Sequence, residues 1–123
     1  MYEIFVRSHF SAAHHLRDYP GNCEKQHGHN WSIEVAVRCA SLDNIGMGVD
    51  FRMIKKALSE VLSDLDHTDL NELPYFMEKN PSSENIATYI YERLKPYFDG
   101  KQCQLHRVTV GETPETGVSY RED

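Results

Sequence analysis

Hydrophobic and polar positions alternate along two long stretches in the first third of the chain, which predicts two half-buried β-strands. Over residues 2–14, one face carries the apolar side chains Tyr2, Ile4, Val6, Phe10 and Ala12. Over residues 27–39, one face carries Trp31, Ile33, Val35, Val37 and Cys39. The segment 18–22 between them, with its Pro-Gly-Asn sequence, predicts a turn.

Two amphipathic helices and two further strands are predicted after these strands. Asp50 is a favourable N-cap, and the apolar positions after it recur at helical spacing as Phe51, Ile54, Leu58, Val61 and Leu65. A second helix is predicted after residues 80–84, with the stripe Ile86, Ile90, Leu94 and Phe98. Residues 103–112 and 117–121 predict strands. The ββααββ order indicates one α+β domain over residues 1–123, with two helices on one face of a four-stranded antiparallel sheet.

Composition limits the classes of partner. The 123 residues are 40% hydrophobic and 26% charged, with a formal net charge of −6 and no basic block, which argues against nucleic acid and anionic membrane. No run of about 18 apolar residues and no signal-peptide pattern is visible, so we expect a cytoplasmic protein. Three cysteines argue against a disulfide framework, and we expect Cys39 and Cys103 to be ordinary buried cysteines.

The seven histidines are the unusual part of the composition. His27 and His29 lie on either side of Gly28 and point to the same, apolar side of their strand. His14 has the matching parity on the first strand, whereas His15 faces the other way. If the apolar faces match, three imidazoles meet in a set that is typical of a catalytic zinc site with an open coordination position. The alternative is that they are core or turn histidines without a metal.

Three other features are candidates for chemistry, and each has a plainer alternative. Cys23 precedes His27 by four residues and is either a thiol of lowered pKa, a fourth metal ligand or an inert turn cysteine. Asp66-His67 near the end of the first helix is either a proton-transfer pair or a place where the histidine interacts favourably with the helix dipole. Glu112 either accepts N–H donors from a planar heterocycle or lies where the strand has left the core.

Several short motifs in chain order resemble one family, the 6-pyruvoyltetrahydropterin synthase / 6-carboxytetrahydropterin synthase (QueD) family, over about residues 4–121. The motifs are Phe10-Ser11-Ala12-Ala13-His14, Cys23-x-x-x-His27-Gly28-His29, Val49-Asp50-Phe51, Leu65-Asp66-His67, Asn80-Pro81-Ser82-Ser83-Glu84-Asn85 and Val110-Gly111-Glu112-Thr113. The resemblance implies the tunnelling fold (T-fold). In that fold three subunits close their sheets into a barrel, and two trimers stack into a homohexamer with active sites between subunits.

The resemblance also implies roles for individual residues. Cys23 matches the catalytic thiol, and Asp66 with His67 matches the pair that completes its proton-transfer group. Glu112 matches the residue that anchors the pterin ring. The residues matched to zinc ligands are His14, His27 and His29. The residues matched to a stretch near the ring are Ser82 and Ser83, for which helix capping is at least as good an explanation.

The implied substrate is 7,8-dihydroneopterin triphosphate. Three residues separate Cys23 from His27, as in the carboxytetrahydropterin branch, so the expected products are 6-carboxy-5,6,7,8-tetrahydropterin, triphosphate and acetaldehyde, in a queuosine precursor pathway. Gln26 stands where some members carry a glutamate linked to a different side-chain cleavage. The alternatives are 6-pyruvoyltetrahydropterin synthase activity, with no carbon–carbon cleavage, and a non-catalytic zinc- or pterin-binding module. The candidate cations for the triphosphate are Arg17, Lys25 and Lys79.

Overall fold

The computed structural model describes residues 1–19, 25–100 and 102–123 and contains one sheet and two α-helices. The strands are β1 Tyr2–His14, β2 His27–Cys39, β3 Thr68–Asp69, β4 Cys103–Thr113 and β5 Thr116–Tyr120. The helices are α1 Phe51–Leu62 and α2 Ser83–Leu94, with short 3-10 helices at Leu70–Glu72, Pro74–Phe76 and Lys95–Phe98. The predicted α+β class is confirmed. The sheet has one strand more than predicted, because the two-residue β3 is too short to give a periodic signal.

The sheet has the order β3-β1-β2-β4-β5, and the pairing of β1 with β2 is its longest ladder. The two strands are antiparallel over their whole length, with Phe10 opposite Trp31 and His14 opposite His27. The rings of Phe10 and Trp31 are both buried and stack with their centroids 6.0 Å apart. The apolar faces of the two strands therefore match, as the alternation predicts.

Side-chain caps fix where both helices begin. The carboxylate of Asp50 accepts a hydrogen bond from the Arg52 backbone N–H at 2.8 Å, and the Ser82 hydroxyl accepts one from the Asn85 N–H at 3.2 Å. Helix α2 gives way to a 3-10 turn after Leu94, because Pro96 has no N–H for another helical bond. Within the described residues, no helix is long and apolar enough to span a membrane.

The core lies between the helices and the apolar face of the sheet. Complete burial of one large aliphatic or aromatic side chain contributes about 1.5–3 kcal/mol, so this layer dominates the stability of the fold. Leu65 stays fully buried although α1 already ends at Leu62, because a tight turn returns it to the core with its N–H bonded to the Leu62 carbonyl. The largest buried apolar side chains are Trp31, Phe10, Phe76, Ile33, Ile54, Leu58, Leu65, Leu70, Ile86, Ile90 and Leu94.

Cys39 and Cys103 form a disulfide between β2 and β4, so the expectation of two separate buried cysteines is wrong. The two residues are direct cross-strand partners, although 64 positions separate them in the chain. Parity places each cysteine on the apolar face, but only the register of β2 with β4 makes them neighbours. That register is set by tertiary packing and is not visible in either local pattern.

The turn between β4 and β5 depends on a glycine. The pairing of the two strands is irregular between Val110 and Thr113, and Gly111 lies at this irregularity. A Cβ atom at Gly111 would overlap the carbonyl oxygen of Thr116 and would lie 2.7 Å from that of Thr113. The backbone therefore approaches itself more closely here than any residue with a side chain allows.

Replacing Gly111 with alanine is expected to lower the free energy of unfolding by about 1–3 kcal/mol, because backbone must move to admit the methyl group. Urea denaturation followed by circular dichroism measures the loss. Gly100→Ala is the matched control, since within the described part of the chain its Cβ would meet nothing closer than the Cys103 oxygen at 3.9 Å. We expect a change within about 0.5 kcal/mol. Equal losses in the two variants would contradict the close approach.

Candidate metal centre

The register of β1 with β2 brings three histidine rings together at one end of the sheet. His14 lies opposite His27, and Ala12 lies opposite His29. The ring centroids are 4.7 Å apart for His14 and His27, 4.7 Å for His27 and His29, and 5.3 Å for His14 and His29. The structure thus assembles the three histidines that strand parity selects from the seven in the chain.

Backbone carbonyls fix which nitrogen of two of these rings carries the proton. His14 Nδ1 donates to the Pro81 carbonyl oxygen at 2.8 Å, and His27 Nδ1 donates to the Lys25 carbonyl oxygen at 2.8 Å. A carbonyl only accepts, so in the neutral rings the two Nε2 atoms present lone pairs. These Nε2 atoms face each other at 3.1 Å. Two lone pairs at this distance repel unless a cation lies between them, so the residues fit a metal ion.

Burial keeps His14 in the form that binds a metal. The side chain is 1% exposed, and burial lowers the pKa of His14 below its usual value. The charge of an imidazolium is disfavoured in an apolar surrounding, so the ring is neutral at pH 7. A neutral imidazole is the ligand form that divalent transition metals require.

The loop before α2 supports His14 from behind. The Pro81 carbonyl holds the ring, and Asn80 anchors the loop by accepting from the Arg17 N–H at 2.8 Å and donating to the Arg17 carbonyl at 2.9 Å. Asn85 donates to the Asn80 carbonyl at 2.8 Å. Outer hydrogen bonds of this kind fix the orientation of a metal-binding ring. This role of the Asn-Pro segment is not visible in the sequence, because it depends on a backbone carbonyl that contacts His14 from a distant part of the chain.

Glu112 faces the histidines. Its Oε2 lies 2.8 Å from His29 Nε2, and one ligand atom from each of Glu112 and the three histidines lies within 4.8 Å of all the others. Parity left the direction of Glu112 open between the site and solvent. The structure places the carboxylate at the site, where four donor groups of the types that bind zinc or a similar metal converge.

Asp66 and His67 are tied to the same end of β1 by a pair of bonds to Ser11. The Ser11 N–H donates to Asp66 Oδ1 at 2.9 Å, and the His67 N–H donates to the Ser11 carbonyl at 2.6 Å. His67 Nε2 lies 3.5 Å from Asp66 Oδ2, and the His67 side chain is 81% exposed. Since α1 ends at Leu62, His67 lies beyond the last turn of that helix. A favourable interaction with the helix dipole therefore does not explain its position. His67 and His29 line one shallow depression.

The other residues predicted for the site are the cysteine, the two serines at the start of the second helix and the candidate cations. Cys23 lies outside the described residues. Ser82 caps α2, and Ser83 is the first residue of that helix. Arg17 binds neighbouring backbone, because its guanidinium donates to the carbonyl oxygens of Phe76 and Lys79 and to Asn80 Oδ1. Of the candidate phosphate cations, Arg17 is therefore part of the scaffold.

Comparisons with known proteins agree on one family. The family model for 6-pyruvoyl tetrahydropterin synthase matches residues 3–123. A 6-carboxy-5,6,7,8-tetrahydropterin synthase of Bacillus subtilis is 32% identical over 98% of this chain and 85% of its own. A dihydroneopterin monophosphate aldolase of Pyrococcus furiosus is 36% identical over 94% and 93%. The structure of the 6-pyruvoyl tetrahydropterin synthase of Caenorhabditis elegans superposes with a TM-score of 0.85 at 31% identity, covering 99% of this chain and 96% of that one.

The geometry predicts that His14→Ala will weaken the affinity for a divalent ion such as Co²⁺ by more than about 100-fold, beyond the 10–100-fold typical of losing an outer partner. Chelator competition followed by metal analysis measures the affinity. His9→Ala is the matched control, because His9 is on the same strand but exposed on the opposite face, and we expect unchanged affinity. Retention of normal affinity in the His14 variant would show that the three rings do not form the site.

Proposed function

The chain belongs to the 6-pyruvoyl tetrahydropterin synthase family, and from this premise we propose a specific reaction. The enzyme converts 7,8-dihydroneopterin triphosphate to 6-carboxy-5,6,7,8-tetrahydropterin, with release of triphosphate and acetaldehyde. The observation that carries the proposal is the pair of imidazole lone pairs facing each other at 3.1 Å inside a three-histidine cluster. A structural role for these rings gives no reason for two acceptors to face each other.

Zinc is the ion we propose for this site, with His14, His27 and His29 as its ligands, because a set of three neutral imidazoles suits it. Bound there, it supplies Lewis acidity toward the hydroxyl groups of the substrate side chain.

The residues of this chain supply the proton transfers. In our proposal the Cys23 thiolate accepts a proton from a carbon of the substrate side chain, and His67 moves protons to and from that side chain. Asp66 orients His67: its Oδ1 is fixed by the Ser11 N–H, which leaves Oδ2 toward the imidazole. Glu112 accepts the N–H donors of the pterin ring and so sets which carbon lies over Cys23.

Two related reactions are the near rivals. A 6-pyruvoyl tetrahydropterin synthase leaves the carbon skeleton of the side chain intact, and the aldolase of Pyrococcus furiosus bears a name that indicates carbon–carbon cleavage of a monophosphate. The three-residue spacer between Cys23 and His27 favours the carboxy product, as the family resemblance implies. Gln26 is a neutral amide whose Nε2 donates to Asp69 Oδ2 at 3.1 Å, so it does not act as a second base.

Incubation of the zinc-loaded enzyme with 7,8-dihydroneopterin triphosphate is expected to give 6-carboxytetrahydropterin, triphosphate and acetaldehyde in equal amounts. Mass spectrometry with an aldehyde-trapping reagent identifies every product. A pyruvoyl product without acetaldehyde would replace the proposal with the synthase reaction, and no turnover of either the triphosphate or the monophosphate would favour a binding module.

Cys23→Ala is the control for the mechanism in the same assay. We expect it to lower kcat by at least about 100-fold, the lower range for loss of a proton-transfer group, while zinc content stays at that of the wild type. Loss of zinc from this variant would make Cys23 a ligand, and the assignment of Cys23 as base would be wrong.

We also propose that the chain assembles through its sheet edges into trimers, and that two trimers form a hexamer with active sites between subunits. Beyond Ala12 and Ala13, which pair with β3, β1 has no neighbour on its outer side among the described residues. Among the described residues, the outer side of β5 likewise has no neighbouring strand. Open edges of this length are normally covered or paired. The exposed His67 beside the depression at His29 also indicates a site that a neighbouring subunit completes.

Light scattering is expected to give about 85 kDa, six times the 14.2 kDa of one chain. Phe5→Asp adds a charge on the open edge strand, where the Phe5 side chain is 47% exposed, and we expect it to shift the protein to smaller species. Ile45→Asp, at a 73% exposed loop position, is the matched control and should remain a hexamer. A wild-type mass equal to one chain would overturn the assembly.

A further inference from the structure

Glu112 occupies a position in the histidine cluster that its proposed contact with the pterin ring does not explain. Its Oε2 lies 2.8 Å from His29 Nε2. We propose that Glu112 is a fourth ligand of the metal ion when no substrate is bound, and that the pterin ring removes it from the metal. This inference rests on the proposed function, because it takes the three histidines as ligands of the same ion.

The contact between Glu112 and His29 is short but is not a hydrogen bond. His29 Nε2 is buried and, among the described residues, has no hydrogen-bond partner of acceptable direction, although the carboxylate oxygen is 2.8 Å away. When the proton of His29 is on Nδ1, its Nε2 presents a lone pair, and this nitrogen and the carboxylate oxygen are then two electron-pair donors. A cation to which both donors bind offsets the repulsion between them and allows this short distance.

Among the described residues, the contact with His29 is the only ion-pair contact of the Glu112 carboxylate. In the described part of the chain, neither an arginine nor a lysine forms an ion pair with this carboxylate. Three neutral imidazoles and one carboxylate are a complete set for a tetrahedral zinc ion. The Glu112 side chain is also 42% exposed, so it has room to leave the metal, which the buried His14 does not have.

The two roles of Glu112 exclude each other. A planar amino-pyrimidine edge presents two parallel N–H donors, and a carboxylate receives them with both of its oxygens. A carboxylate that is bonded in this way no longer offers an oxygen to the metal. Binding of the ring therefore opens a coordination position at the moment when the substrate side chain arrives, and the resting site remains closed to water and to other ligands.

Thermodynamic linkage gives the proposal a measurable consequence. If the metal and the pterin compete for Glu112, each weakens the binding of the other by the same factor. We expect the metal-free protein to bind unsubstituted pterin, which has no side chain to reach the metal, roughly 10-fold more tightly than the metal-loaded protein, within the usual range of such couplings.

The decisive experiment compares the visible absorption of the Co²⁺-loaded wild type with that of Glu112→Gln. We expect the wild type to show the intense bands of a four-coordinate site with an anionic ligand, and saturation with pterin to change them. We expect the variant spectrum to differ from the wild type already without pterin and not to respond to it. Glu115→Gln, an exposed neighbour in the turn, is the matched control and should match the wild type.

The outcomes separate this inference from the proposed function. Identical cobalt spectra for the wild type and Glu112→Gln, with Co²⁺ bound by both, would overturn the ligand role and make Glu112 an outer partner of His29, while the enzyme activity would stand. Failure of the wild type to bind Co²⁺ or Zn²⁺ would overturn both. Equal or tighter pterin binding in the metal-loaded wild type would also overturn the exchange.

Discussion

The pairing of β1 with β2 is the constraint on which the site depends. The two strands run antiparallel over thirteen positions each, and the stacked rings of Phe10 and Trp31 hold their apolar faces in register. A shift of one residue would turn alternate side chains to the opposite face, which would separate His14 from His27 and His29. The hydrophobic energy of the core thus enforces the alignment of the three imidazoles.

The surroundings of the cluster come from three other parts of the chain. The loop before α2 holds His14 through the Pro81 carbonyl, the end of β4 brings Glu112, and the turn after α1 brings Asp66 and His67 to Ser11. Each of these segments touches β1 or β2 at the same end of the sheet. The site therefore combines a rigid strand pair, which supplies metal ligands, with peripheral segments that supply exchangeable and proton-transferring groups.

The sequence was informative where the periodic spacing of apolar residues alone determines the local structure. Alternation predicted both long strands and selected His14 over His15. Helical spacing located both helices, with Asp50 as the cap of the first. It was not informative where distant segments meet. The disulfide between Cys39 and Cys103 depends on the register of strands far apart in the chain, and the position of Glu112 beside His29 depends on the pairing of β4 with β2. The two-residue β3 has no period to detect, and it exists because β1 offers a backbone edge to Thr68 and Asp69.

The close backbone approach at the β4–β5 turn also restricts how the gene can change. Surface loops are ordinarily the segments in which insertions and deletions persist. Here the connection between Thr113 and Thr116 consists of Pro114 and Glu115 alone, and an added or lost codon would shift β5 along β4. Such a shift would disrupt the close approach of Gly111 to the Thr116 carbonyl. Glu112 would keep its direction, because β4 pairs with β2 as far as Gly111. The fit of the two backbones, and not the metal site, is therefore what would hold this hairpin at constant length.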